Sequence, residues 1–363
     1  MIDNNKIVEI LRGIQDPNSG NDLISMRLID KLKVRDNSVS FSVNTSGMAD
    51  AVKFQLHEAI AHKIQEEYPN ANVDIHFTTE AGKVKPLAQV KNIIAVASGK
   101  GGVGKSTVST NLALGLKALG AKVGLMDADL YGPSIPTMLG IKDQKPKIEQ
   151  LYGKHRIRPI EKFGIYTISI GNIVEPEQAV VLRGPRLGGI IKQFVNDVTW
   201  PELDYLIIDL PPGTGDIQLT LVQTVPITAA VMVTTPQDVA VADAIKAMNM
   251  FRLENINVPI IGIVENMSWF IPDDMPEKKY KIFGEGGGKA LAKESKSVLL
   301  AQLPLVTDIR KAGDQGIPIV LNDDHLAQSY YIQMAQKTAQ QLAVRNEMLA
   351  PTQIVGVNVQ AKG

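Results

Sequence analysis

The stretch GKGGVGKST, residues 99–107, decides the fold of the chain. It follows the apolar run IIAVAS and precedes a helical pattern from Ser106 to about Leu119, and it fits the phosphate-binding pattern G-x-x-x-x-G-K-[ST]. Glycines let backbone N–H groups approach an anion closely, and the following helix presents the positive end of its dipole to that anion. This strand–loop–helix context predicts a phosphate-binding loop, called the P-loop below.

The P-loop is predicted to bind a nucleoside triphosphate and its Mg²⁺. Lys105 is expected to neutralise the β- and γ-phosphates, and Ser106 is expected to bind Mg²⁺. The predicted nucleotide contacts within the loop are Gly99, Lys100, Gly101, Gly102, Val103, Gly104, Lys105, Ser106 and Thr107.

Acidic residues at strand ends supply the other groups that a P-loop needs. Asp209 ends the apolar stretch YLIID, and we predict that it binds Mg²⁺ together with Ser106. Asp127 and Asp129 follow the apolar run KVGLM, and we predict that one of them orients the attacking water. The alternative for either residue alone is a role as a helix cap or a turn residue.

The sequence PPGTGD, residues 211–216, begins two residues after Asp209. A backbone N–H of Gly213 or Gly215 is predicted to sense the γ-phosphate and to move on hydrolysis. The predicted catalytic residues are thus Lys100, Lys105, Asp127, Asp129 and Asp209.

Beyond residue 90, short apolar runs alternate with helical patterns. The runs GIYTISI, YLIIDL, AAVMVTT and PIIGIVEN are apolar on both faces, which is typical of parallel strands covered by helices. We therefore predict an α/β fold with a doubly wound, mostly parallel sheet, preceded by a small α+β domain.

Four segments are predicted along the chain. Residues 1–79 form the α+β domain, with an amphipathic helix that places Val52, Leu56, Ile60 and Ile64 on one stripe. Residues 80–91 form a linker, residues 92–346 the nucleotide-binding domain, and residues 347–363 a flexible tail. The helical run HLAQSYYIQMAQKTAQQLAVRNEM has glutamine rather than basic residues on its polar face, which favours docking on the domain over a membrane surface.

The composition of the chain limits the classes of partner that are expected. Lys plus Arg and Asp plus Glu both number 38, so the formal net charge is zero and no nucleic-acid partner is expected. The N-terminal sequence lacks a signal-peptide pattern, and the apolar runs are shorter than the ~20 residues that span a bilayer. We expect a cytoplasmic protein without a membrane partner. The chain has no cysteine, which excludes disulfides and thiolate ligands of its own.

The P-loop is similar to the deviant Walker A sequence of the MinD/ParA/nitrogenase-iron-protein class, through its early lysine, Lys100. This resemblance implies a homodimer in which Lys100 reaches the partner's nucleotide while Lys105 serves its own. The alternative is a solvated lysine that the loop tolerates.

Further blocks resemble the Mrp/NBP35/ApbC family of iron–sulfur cluster carrier ATPases. They are MDADLYGPSIPTMLG, VLRGPRLGG, DLPPGTGD, TTPQDVA, GIVENMSWF and FGEGGG, and DPNSGNDLISMRLI resembles the MIP18-type domain that often precedes them. The resemblance implies that the nucleotide is ATP and that Asn266 lies near the adenine. It also implies that clusters are delivered to apoproteins, with apo iron–sulfur proteins or assembly factors as partners. The guanine-reading pattern N-K-x-D does not occur in the sequence.

The sequence departs from this family where members usually carry C-x-x-C, shortly after the ENM block. Here the stretch reads NMSWFIPDDMPEKKYKIFGEGGG. Asp273, Asp274 and Glu277 are hard oxygen ligands suited to Mg²⁺ or Ca²⁺ rather than to a cluster, and a solvated turn is the favoured interpretation. Three accounts stay open: a cluster bound weakly or through a partner's cysteines, an ATP-dependent scaffold, or a MinD/ParA-like positioning switch that carries no cluster.

Overall fold

The computed structural model describes residues 2–15, 22–26, 28–45, 48, 50–78, 87, 89–130, 132–151, 154–173, 189, 194–254 and 256–349. The chain divides into two compact units. One comprises Met1–Gln89, Ile148–Arg158 and Asp197–Glu202, and the other comprises Val90–Lys147, Pro159–Asn196 and Leu203–Gly363. The boundaries at residues 79, 91 and 346 stay predictions, and most of the predicted linker and tail, with the VLRGPRLGG block, lies outside the described residues.

The N-terminal unit packs two helices on a three-stranded sheet. Its elements are α1 (Asn4–Arg12), β1 (Ile29–Arg35), β2 (Ser38–Asn44), α2 (Asp50–Glu67) and β3 (Asn72–Thr78). Central β2 pairs antiparallel with β1 and parallel with β3. The predicted stripe on α2 is confirmed at Leu56, Ile60 and Ile64, which are fully buried, and Val52 packs partly buried against the same core.

Four consecutive strands lie between residues 147 and 169, and the first two of them form a separate two-stranded sheet whose residues 148–158 belong to the first unit. The elements beyond β3 otherwise alternate strands and helices, as the sequence predicts. They are β4 (Val90–Ser98), α3 (Lys105–Ala118), β5 (Val123–Asp127), α4 (Ile135–Met138), β6 (Lys147–Leu151), β7 (Lys154–Arg158), β8 (Ile160–Lys162), β9 (Ile165–Ser169), β10 (Leu203–Asp209), α5 (Asp216–Thr224), β11 (Ala229–Thr234), α6 (Asp238–Phe251), β12 (Ile260–Glu265), α7 (Gly287–Ser295), β13 (Val298–Gln302), α8 (Thr307–Gln315) and α9 (Leu326–Met348).

The large sheet has eight strands in the order β13-β12-β11-β4-β10-β5-β9-β8. Every pairing in it is parallel except that of β8 with β9. All residues of β5 and β11 are buried, as expected for strands covered on both faces. The predicted doubly wound, mostly parallel sheet is confirmed.

Strand register determines which residues meet at the carboxyl edge of this sheet. Asp209 of β10 pairs with Val96 of β4 and with Asp127 of β5, which in turn pairs with Ser169 of β9. In open α/β sheets this edge is where ligands bind. The predicted site residues on β5 and β10 therefore lie side by side.

Helix α9 docks on α3. Tyr331 and Ala335 are fully buried, and a Cβ added at Gly115 would lie 3.0 Å from Ala335 Cβ and 3.4 Å from Tyr331 O. This close approach confirms that the C-terminal helix packs on the domain, and it extends to Met348. Among the described residues, no helix has both the length and the apolar character needed to cross a membrane.

Candidate functional site

The P-loop connects β4 to the first turn of α3. Gly102 and Gly104 have φ angles of +82° and +80°, which glycine adopts readily and other residues rarely do. Gly104 caps the helix, and Lys105 is its first residue. The backbone therefore has the geometry that the glycine pattern predicts.

Two glycines of the loop are also required by space. A Cβ added at Gly99 would lie 2.1 Å from the backbone carbonyl carbon of Asp243. One added at Gly104 would lie 2.2 Å from Asn266 Nδ2. That same amide donates a hydrogen bond of 2.8 Å to the carbonyl of Val103. Asn266, predicted to lie near the adenine, is thus a buried clamp on the P-loop backbone.

A pocket of about 240 Å³ opens above the loop. Its lining combines loop residues with the segment that follows β5 and the turn that follows β10. The lining residues are Ser98, Lys100, Gly101, Gly102, Gly104, Lys105, Ser106, Thr107, Asp129, Gly132, Ser134, Met138 and Pro212.

Lys105, Ser106 and Asp209 converge beside this pocket. The Lys105 side chain is 6% exposed, and its ammonium lies 2.9 Å from Asp209 Oδ2. The Ser106 hydroxyl donates a 2.6 Å hydrogen bond to the same oxygen. Asp209 is fully buried, so this charge-assisted network lies in a low-dielectric environment where its interactions are strong.

Asp127 and Asp129 flank that network. Asp127 accepts hydrogen bonds from the Ser169 hydroxyl at 2.9 Å and from the Asp129 backbone N–H at 3.1 Å. Burial and, secondarily, the Asp209 carboxylate raise the pKa of Asp127 to about 8, although both hydrogen bonds and the Lys105 charge oppose the shift.

Asp129 lies at the pocket itself. Its Oδ2 is 3.5 Å from Lys105 Nζ, and its buried Oδ1 has no hydrogen-bond partner within the described part of the chain. Burial raises the pKa of Asp129, and the Lys105 ammonium opposes this shift. Buried carboxylate oxygens are normally hydrogen-bonded, and among the described residues Asp129 Oδ1 is an exception beside this pocket.

The turn after β10 is held to the P-loop strand. Gly213 has a φ of +88°, and its N–H donates to the Ser98 carbonyl at 2.9 Å. Gly215 caps α5 in an extended conformation. The predicted contact of the Gly213 N–H with a γ-phosphate therefore requires the turn to rearrange.

Lys100 differs from Lys105 in its surroundings. It lines the pocket and is partly exposed, and the described residues offer its ammonium no ion pair. The reach of Lys100 to a partner's nucleotide stays a prediction.

The segment 266–287, called the stem–loop below, leaves the sheet after β12 and returns at α7. Fully buried Glu265 holds both of its ends: the Ser268 hydroxyl and the Gly288 N–H donate to its carboxylate at 2.8 and 2.6 Å. Gln302 Nε2 of β13 donates to it as well, at 2.6 Å. Further out, Phe270 and Tyr280 exchange backbone hydrogen bonds of 2.8 and 2.9 Å.

The tip of the stem–loop is exposed. Asp273, Asp274 and Glu277 all point to solvent, and within the described ranges no three or more His, Cys, Asp or Glu side chains form a group that would hold a metal ion.

Two hydrogen bonds of the site were not predicted from the sequence. Ser109 donates a 2.7 Å hydrogen bond to Asp209 Oδ1, and Ser169 holds Asp127. Ser109 lies four residues after Lys105, on the same helical face, and this spacing was the available signal. No sequence pattern indicates the Ser169 contact, because only the register of β9 places Ser169 beside β5.

Comparison with known proteins places these features in a family. Residues 89–342 match the family described as NUBPL iron-transfer P-loop NTPase, and residues 4–85 match the one described as iron–sulfur cluster assembly protein. The iron–sulfur cluster carrier protein of Synechocystis sp. is 42% identical over 333 residues, which is 90% of this chain and 94% of that protein.

Solved structures agree. A nucleotide-binding protein from Archaeoglobus fulgidus, in complex with ADP and containing cobalt, is 38% identical, with a TM-score of 0.55 over 64% of this chain and 88% of that one. The cell division ATPase MinD of Pyrococcus furiosus, at 22% identity and a TM-score of 0.51, covers 69% of this chain and 99% of that one and shares the fold. The glycine cradle, its buried lysine–aspartate pair and these matches lead to one conclusion: the chain belongs to the NUBPL iron-transfer family of P-loop NTPases.

Proposed function

We propose that this protein binds and hydrolyses ATP and serves as an iron–sulfur cluster carrier that delivers clusters to apoproteins. The observation that carries the proposal is the convergence of Lys105, Ser106 and Asp209 beside a glycine-lined pocket. A buried ammonium next to backbone N–H groups at a helix N-terminus suits a polyphosphate. The cargo is inferred from the carrier proteins that the chain resembles.

The donor set fits Mg²⁺. Ser106 and Asp209 offer adjacent hard oxygens, which Mg²⁺ prefers, and Asp129 adds a carboxylate to the lining of the same pocket. Ser106 and Asp209 would hold the ion, which supplies charge neutralisation at the β- and γ-phosphates. Hydrolysis is therefore expected to depend on Mg²⁺.

Each predicted site residue receives a role in this proposal. Lys105 exchanges its Asp209 contact for the β- and γ-phosphates, and Asp127 or Asp129 orients the attacking water. The Gly213–Gly215 turn leaves the Ser98 carbonyl when a γ-phosphate offers a better acceptor. Asn266 holds the loop backbone and lies next to the adenine. Turnover is slow, as expected for a switch.

The active form is proposed to be a homodimer with two nucleotides at its interface. The Lys100 side chain is partly exposed and has no ion pair among the described residues, which supports this arrangement, because a cation supplied in trans stabilises the transition-state charge of phosphoryl transfer. ATP favours the closed dimer, since a ligand shifts an equilibrium by its differential affinity for the two states. The cytoplasmic location and the lack of nucleic-acid and membrane partners stay predictions.

Replacing Lys100 with alanine tests whether Lys100 acts on the nucleotide of the partner subunit. Nucleotide affinity is expected to stay within about threefold of the wild type, whereas kcat falls at least tenfold, because trans-acting cations are worth about 10³–10⁵ in kcat. Lys117→Ala, at an exposed position of α3, is the matched control. Unchanged hydrolysis in Lys100→Ala would contradict the role.

A mixing experiment separates action in cis from action in trans. Lys100→Ala protein keeps its own Lys105, and Lys105→Ala protein keeps its Lys100. Mixed together, they form dimers in which one complete composite site is rebuilt, so hydrolysis is expected to recover. Failure to recover would show that Lys100 serves its own nucleotide.

The absence of cysteine constrains how a cluster is carried. Fe–S clusters are held by thiolates, and the chain has none, while the exposed carboxylates at the stem–loop tip are hard ligands. We infer that the thiolates come from a partner, either an apo iron–sulfur protein or an assembly factor. The same observation favours a second candidate function, an ATP-dependent scaffold that holds the cysteine-bearing partner and binds no cluster itself.

Anaerobic reconstitution tests the inference about partner thiolates, on which both functions rest. The isolated chain, incubated with iron and sulfide and then desalted, is expected to retain no stoichiometric iron and no visible cluster absorbance. A cysteine-bearing apoprotein added with ATP is then expected to gain its cluster faster in the presence of the chain. A stoichiometric cluster on the isolated chain would overturn the inference about partner thiolates, and an unchanged transfer rate would contradict both functions.

A further inference from the structure

The Asp209 carboxylate is restrained through both of its oxygens. Oδ2 faces Lys105 Nζ at 2.9 Å and Ser106 Oγ at 2.6 Å, whereas Oδ1 accepts from Ser109 Oγ at 2.7 Å. Ser109 and Asp209 are both fully buried. Among the described residues, Ser109 is the one side chain that donates to Oδ1.

The Ser109 hydroxyl has a choice of acceptors. It lies 3.0 Å from the Lys105 carbonyl, the usual acceptor for a serine within a helix. A single hydroxyl proton favours the nearer, charged acceptor, because hydrogen bonds to carboxylates are shorter and about twice as strong as neutral ones. Ser109 is therefore bonded to Asp209 rather than only to its own helix.

This bond fixes the plane of the carboxylate. With Oδ1 held, rotation about the Cβ–Cγ bond is blocked and Oδ2 stays directed at Ser106. When Lys105 turns to the phosphates, Ser106 and Ser109 are the donors that keep Asp209 in place. We propose that Ser109 is a positioning residue that orients Asp209 for its divalent cation. This inference rests on the proposed function, in which Ser106 and Asp209 hold Mg²⁺.

The test compares Ser109→Ala with wild type in the full-length chain. Binding of a fluorescent ATP analogue is measured in EDTA and at increasing Mg²⁺ concentrations, alongside ATP hydrolysis. Affinity in EDTA is expected to stay within twofold, whereas the Mg²⁺ concentration needed for half-maximal effect rises about 10-fold to 100-fold, the usual cost of removing a partner that orients a ligand. Ser109→Thr, which keeps the hydroxyl, is expected to restore the wild-type Mg²⁺ dependence.

Thr110→Val is the matched control. Thr110 is the next residue of α3 and is equally buried, but its hydroxyl faces Met138 Sδ at 3.9 Å. Its Mg²⁺ dependence is expected to equal that of the wild type. If Ser109→Ala does not fold, Ser109→Cys keeps the side-chain volume, weakens the donor and takes its place.

The outcomes separate the inference from the proposed function. An unchanged Mg²⁺ requirement in folded Ser109→Ala, or an equal loss of affinity with and without Mg²⁺, overturns the positioning role. Wild-type protein that binds no ATP analogue overturns the proposed function and the inference with it.

Discussion

Replacing Lys105 with alanine is expected to weaken ATP binding by about 10-fold to 100-fold and to remove hydrolysis. The buried ammonium is the cation nearest to Asp209 and Asp129, and the same group must neutralise the incoming phosphates. Loss of a hydrogen bond from a charged group costs about 1.5–3 kcal/mol, or up to about 100-fold in Kd, and transition-state charge adds to the effect on hydrolysis. Equilibrium binding and phosphate release measure both.

The control for this change is Lys117→Ala, which removes an exposed lysine from the same helix. Removing Lys105 also leaves two buried carboxylates without their cation, so thermal unfolding is measured in parallel. Lys105→Met keeps the length and bulk of the side chain and is expected to show the same loss of binding. Wild-type hydrolysis in either folded variant would show that the site is assigned wrongly.

Replacing Asp209 with asparagine is expected to lower kcat by about 10²–10³, the cost of losing one fixed charge-stabilising group. The amide keeps the shape of the carboxylate but carries no charge and offers a single acceptor oxygen. Lys105, Ser106 and Ser109 all donate to Asp209, so one donor then faces an NH₂ group. Nucleotide affinity in EDTA is expected to change little, because Asp209 acts through the cation.

Asp204→Asn is its matched control. Asp204 lies near the start of the same strand and pairs with Lys91 at 2.8 Å, far from the P-loop along β10. Its hydrolysis is expected to match that of the wild type. If Asp209→Asn turns over at the wild-type rate at limiting Mg²⁺, the proposed metal role of Asp209 is wrong.

The central strands and the P-loop could be predicted from the sequence because each is encoded locally. Strand β11 is apolar on both faces, and the glycine spacing of residues 99–107 is that of a phosphate-binding loop. The strands that were not predicted from the sequence are β1, β6, β7, β8 and β13, and all of them lie at sheet edges. Edge strands are short or carry charged residues that discourage aggregation, and IDKLKVR of β1 shows this pattern.

The long-range contacts of the site could not be predicted. Asn266 reaches the Val103 carbonyl across 163 residues of sequence, and Ser169 meets Asp127 through strand register alone. Periodicity identifies which elements form, but the order of strands in the sheet decides which side chains become neighbours.

Glu265 anchors the stem–loop at its base, so the sequence at its tip can change without affecting the nucleotide site. The buried Glu265 carboxylate binds both ends of the stem–loop, and backbone hydrogen bonds between Phe270 and Tyr280 join its two sides further out. Residues beyond Phe270 and Tyr280 can therefore be replaced without changing the sheet and the P-loop. Substitutions at this outermost stretch, including those that would add soft-metal ligands, are therefore compatible with an unchanged P-loop.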